Sequence, residues 1–93
     1  MFGVEDQVDW FAVNVIPHLT AASRTIFEGS VDEGDPDMAL DHGLQFSLIE
    51  GIRIPDGRLE SVEETVRYAY DPALVTRSLG WIAKHRERNR AAA

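Results

Sequence analysis

Asp37 and Asp41 lie one helical turn apart and His42 follows directly, a combination that on one face of a helix could hold a divalent cation. The chain's other histidines, His18 and His85, stand far away in sequence, and no HExxH or HxH spacing links the three. The Asp32–Asp37 stretch lacks the central glycine and the terminal bidentate glutamate of a calcium loop. No GxSxG, Walker A or GxGxxG pattern occurs. Ser23, Ser30, Ser47, Ser61 and Ser78 have no neighbouring histidine in sequence to activate them. A small metal-dependent enzyme built on Asp37, Asp41 and His42 is therefore the weakest of three readings, and neither a catalytic residue nor a cofactor is assigned.

The stronger signal is charge. Between Arg24 and Arg53 there is no Lys or Arg, yet this stretch carries Glu28, Asp32, Glu33, Asp35, Asp37, Asp41 and Glu50. One sign of charge concentrated in this way repels itself in the folded state and serves solubility or the steering of a cationic partner. Helix capping accounts for Asp37 and in part Asp35, and leaves Glu28, Asp32, Glu33 and Asp41 as candidate contacts for a basic protein. Further along, Glu60 and Glu64 share a helical face with Tyr68, and tyrosine beside carboxylates suits an interface that accepts Arg or Lys. Trp10, Phe11 and Trp81 are expected at the edges of the core.

The 93 residues carry a net charge of −7 and contain no cysteine. This length fits one domain with one core. The lack of cysteine excludes a disulfide framework and thiol chemistry, and agrees with a reducing, cytoplasmic compartment. No secretory leader or membrane-spanning run is read, so no membrane partner is expected. The basic end, with Arg77, Lys84, Arg86, Arg88 and Arg90 against Glu87, reads as good electrostatics for a helix C-terminus. Direct nucleic-acid binding is not expected of a chain that is acidic overall.

The elements that must position these residues are helical. Val8, Ala12, Val15, Leu19, Ala22 and Ile26 alternate steps of four and three, which lays one stripe along a long first helix. Pro17 falls inside it and predicts a kink or a break, the continuous stripe favouring a kink. Glu28-Gly29-Ser30 is read as the end of this segment. Asp35-Pro36 then caps a second helix with Leu40, Leu44 and Leu48 on its buried face and Gly43 and Ser47 beside them, closed by Gly51. Ile52–Gly57 reads as an extended connector ending in an Asp-Gly turn. Leu59, Val62, Val66 and Ala69 mark a third helix, and Asp71-Pro72 opens a last one that frays after Glu87. The fold class is all-α: a bundle of four helices, or five if Pro17 breaks the first, in a single domain over residues 1–93 with a frayed basic tail at 86–93.

Gly34-Asp35-Pro36-Asp37-Met38-Ala39-Leu40, followed by Leu44, Ile49-Glu50, Ile52-Arg53-Ile54-Pro55 and Leu59-Glu60-Ser61-Val62-Glu63, resembles the central part of Maf-type immunity proteins of bacterial polymorphic toxin systems. The resemblance spans roughly residues 30–70 and consists mostly of apolar spacing, with Gly34-Asp35 standing where that family usually has Gly-Glu. It implies a small helical protein that binds a co-produced toxin, often a nuclease, and covers its active or substrate-binding surface. An acidic face would then stand in for nucleic-acid phosphates. The partner surface so assigned comprises Glu28, Asp32, Glu33, Asp35, Asp37 and Asp41, with Glu60, Glu64 and Tyr68. The alternative is a structural protein that self-associates as a homo-oligomer through the apolar helix face around Gly43 and Ser47.

Overall fold

In the computed structural model, which describes residues 2–92, Pro17 breaks the first helical run. Proline has no N–H to donate and its ring crowds the carbonyl four residues back, so a continuous helix cannot pass through it. Helix α1 (Val4–Asn14) therefore stops, a single 3₁₀ turn covers Ile16–His18, and α2 (Ala21–Asp32) starts afresh from Thr20, whose Oγ1 accepts the Ser23 N–H. The break also resets the helical phase. Val8, Val15 and Leu19 of the expected stripe are buried, but Ala12, Ala22 and Ile26 are exposed, and Ser23, Phe27 and Ser30 form the inner face of α2. The kink favoured by the continuous stripe is thus replaced by two helices at an angle.

Helix α2 runs through Gly29 to Asp32, with Gly34 just past its C-cap Glu33, and does not end at Glu28-Gly29-Ser30. Gly34 takes φ +75°, donates to Val31 O at 3.0 Å, and lets Asp35 N–H reach Ser30 O at 3.0 Å. Asp35 then accepts the Met38 N–H at 3.1 Å and starts α3 (Pro36–Ile49) with Pro36 at its first position. One residue therefore closes one helix and opens the next. The end of α3 repeats the device, with Gly51 at φ +76° and Ile52 N–H on Ser47 O at 2.8 Å.

Asp56-Gly57 forms the first turn of α4 (Asp56–Tyr68) and not the tight reversal that its dipeptide suggested, because Pro55 already provides the extended residue before the helix. A 3₁₀ turn over Pro72–Leu74, capped by Asp71 on the Ala73 N–H, leads into α5 (Val75–Ala92). The all-α class holds, with five α-helices and no strand among the described residues.

Helix α3 is the central element, packed on α1, α2 and α5, while α4 leans on α5 and α1. Phe11, Phe27, Leu40, Leu44, Ile54, Leu59, Val62, Val66 and Ile82 fill the space between them. Each such side chain contributes about 1.5–3 kcal/mol by leaving water. Trp10 and Trp81 close the edges half-buried. Gly43 and Ser47 are buried within the fold itself, Gly43 against the Phe11 ring and Ser47 against His85. The face proposed for self-association is therefore already occupied by α1 and α5.

The basic tail, expected to fray over 86–93, is helical through residue 92, its last residue lying outside the described ones. Helix α5 continues to Ala92, and the buried Asn89 donates to Ile54 O and Asp56 Oδ1, both at 2.9 Å. Arg88 donates to Leu48 O at 2.8 Å and Ile52 O at 3.0 Å, tying α5 to the end of α3 and the connector after it. No helix among the described residues is long and apolar enough to cross a membrane.

Candidate acidic interface

The residues assigned to a partner surface divide into three groups. Glu28, Asp32, Glu33 and Asp35 are exposed on the last turns of α2 and the corner that follows. Glu60, Glu64 and Tyr68 are exposed along one face of α4, with Tyr68 at 73%. The two groups sit on helices that pack against different neighbours, α2 on α3 and α4 on α5 and α1. The third group, Asp37 and Asp41, faces inward.

Asp41 is fully buried and is removed from the partner surface. Its Oδ2 lies 2.8 Å from Arg77 Nε and its Oδ1 accepts from Ser78 Oγ at 2.8 Å. A carboxylate in this position needs both partners, because an unpaired buried charge is strongly unfavourable. Ser78 also lies 2.9 Å from the Tyr70 hydroxyl, which donates to Asp37 O at 2.7 Å. Burial raises the Tyr70 phenol well above its ordinary pKa and keeps it protonated as a donor. Asp37 is half-buried and accepts the Asp71 N–H at 2.7 Å, which pins the α4–α5 connection to the start of α3. Desolvation raises its pKa, with the neighbouring carboxylates of Asp35 and Asp71 adding to the effect against the Asp71 N–H.

His42 turns away from both carboxylates. Its Nδ1 is 3.1 Å from Ser30 Oγ across the α2–α3 seam, and its ring stacks on Phe46 at 5.6 Å between centroids. Desolvation lowers its pKa, against the pull of Asp41. Asp37, Asp41 and His42 thus serve three different neighbours and form no common cation site. Among the described residues, no group of three or more His, Asp or Glu side chains is placed to share a metal ion.

The cations are engaged differently from the anions. Arg67 and Arg86 both pair with Glu63, whose carboxyl their hydrogen bonds hold below the usual range. Arg58 lies 4.6 Å above the Trp10 ring and donates to Gln7 Oε1. Arg77 and Arg88 are committed to Asp41 and to the end of α3. Glu28, Asp32, Glu33, Asp35, Glu60 and Glu64 make no ion pair among the described residues. Five arginines are thus engaged by partners within the chain, whereas these six carboxylates form no ion pair among the described residues.

Two further acids belong to this surface and were not assigned from sequence. Glu5 and Asp9, one turn apart on α1, line an open groove with Val8, Val31, Gly34 and Pro36, which brings them beside the α2–α3 corner. Their spacing on an exposed helical face was the available signal. Their proximity to Gly34, distant in sequence, was not visible locally. No protein family, curated protein or solved structure matches this chain.

Proposed function

We propose that the chain is a small acidic binding protein, an immunity- or antitoxin-like inhibitor that works in the cytoplasm by covering the active or substrate-binding surface of a basic cognate toxin. The observation that supports this reading is the asymmetry of the charges: Arg58, Arg67, Arg77, Arg86 and Arg88 have partners within the chain, while Glu28, Asp32, Glu33, Asp35, Glu60 and Glu64 face solvent without an ion pair. Such a surface speeds encounter with a cationic protein and repels phosphate polyanions, so nucleic acid is not its direct ligand. Exposed Tyr68 beside Glu64 adds an aromatic face that can accept Arg or Lys.

The test is affinity purification from the native host with the full chain as bait, at low and high salt, beside a charge-reversed bait carrying Glu28→Lys, Asp32→Lys and Glu33→Lys. The native bait is expected to retain one basic protein that high salt releases, and the reversed bait to lose it. Equal recovery by both baits would overturn the assignment of this surface.

A further inference from the structure

Gly29 stands within α2, where glycine is less favourable than any residue but proline, and nothing in the fold requires it. Its backbone is helical, and a Cβ built there would meet no atom within 4 Å. Gly29 lies on the floor of an open groove of about 570 Å³ between α2 and α3. Exposed Ile26 and half-buried Met38 and His42 supply its apolar and aromatic wall, and the bond of His42 to Ser30 with its stacking on Phe46 fixes that wall in place. Glu33 and Asp35 line the acidic part of the groove, and the base that reaches it, Arg77, is neutralised by Asp41.

Resting on the acidic-binding reading above, we infer that this groove is the docking surface and that its occupant is an amphipathic helix of a basic protein, with one apolar side chain over Gly29 and Lys or Arg against Glu33 and Asp35. Charge selects the class of partner. A nucleic acid or an anionic membrane would be repelled by Glu28, Asp32 and Glu33, and a second copy of this chain would bring the same acidic surface. Geometry selects the mode. The groove walls are α-helices whose main-chain groups are bonded within each helix, so there is no edge for an added strand and recognition falls to side chains.

The experiment titrates the ¹⁵N-labelled full chain with a synthetic amphipathic helical peptide of Leu and Lys, and with a Leu and Glu peptide of the same pattern, following amide shifts. The Lys peptide is expected to shift residues 25–42 of α2 and α3, and the Glu peptide to leave them in place. Gly29→Leu, which puts a side chain onto the floor of the groove, is expected to weaken the Lys peptide about tenfold with the fold's helicity unchanged. Glu33→Lys is expected to weaken it about tenfold at low salt, with the difference closing at high salt. Shifts centred on Glu60, Glu64 and Tyr68, or unchanged affinity in Gly29→Leu, would overturn the groove and leave the acidic-binding reading standing. Absence of binding by the Lys peptide anywhere on the chain would remove both.

Discussion

A Cβ added to Gly43 would lie 2.7 Å from Cδ2 of Phe11, closer than packed carbon atoms approach. The glycine on α3 is the hollow that receives the fully buried phenyl ring of α1. Gly43→Ala is expected to destabilise the protein by about 2 kcal/mol through overpacking, despite alanine's better helix propensity. Urea unfolding measures it. Phe11→Leu in the same chain should give a combined loss smaller than the sum of the two single losses, because the residues share one contact.

The buried Asp41 makes the α3–α5 seam depend on Arg77 and Ser78. Arg77→Ala is expected to cost about 3 kcal/mol because it leaves the fully buried Asp41 carboxylate without its cation, and Asp41→Ala about 1–2 kcal/mol because the part-exposed guanidinium can turn to water and Ser78 keeps Tyr70 as a partner. Thermal unfolding of the two variants should rank them in that order. The reverse ranking would mean that Asp41 is solvated.

Acid should weaken the fold first through His85. Burial and the Arg88 guanidinium lower its pKa, with the Leu44 carbonyl pulling the other way. Nε2 donates to Leu44 O at 2.9 Å, and Nδ1 accepts from Arg88 at 3.2 Å, which fixes the neutral tautomer. A base with a depressed folded-state pKa contributes stability that is present above its unfolded value, about 6.5, and is lost as pH falls toward the folded value. His42 acts with the same sign and Asp37, whose pKa is raised, with the opposite one. Urea midpoints of the native chain should decline below about pH 6.5, and His85→Gln should flatten that decline. An unchanged slope in the variant would remove His85 as its source.

Removing residues 88–93 should be costly for so short a segment. The truncation deletes the Arg88 bonds to Leu48 O and Ile52 O and the Asn89 bonds to Ile54 O and Asp56. A loss of about 3 kcal/mol is expected from charged and buried hydrogen bonds together, read as a lower melting temperature. A chain that melts unchanged would show that the tail only decorates the fold.

Several helix boundaries were legible in sequence because their chemistry is local. Asp35-Pro36, Asp71-Pro72 and Gly51 act where their residue types say they should. Pro17 was legible too, but the stripe from Val8 to Ile26 suggested continuity, since its spacing cannot register that a 3₁₀ turn rewinds the phase. Asp41 shows the other limit. Its charge says surface, and only the return of Arg77 from a distant helix makes burial tolerable. Exposed Glu28, Asp32, Glu33, Glu60, Glu64 and Tyr68 were legible as surface residues, whereas the groove at Gly29 was not, since it needs α3 folded alongside.

Glu50, at the end of α3, accepts the Thr20 N–H at 2.8 Å and the hydroxyls of Thr20 and Ser23, so it caps the start of α2 from another helix. The opposite ends of these two helices are joined through Gly34 and Asp35. The α2–α3 hairpin is consequently clasped at both ends, and its amides belong to one cooperative opening unit whose protection against hydrogen exchange rises and falls together. The two helices follow one another across the short corner Glu33–Asp35, so the hairpin is the part of the chain that can form early in folding, before α5 returns from the far end to lock α3.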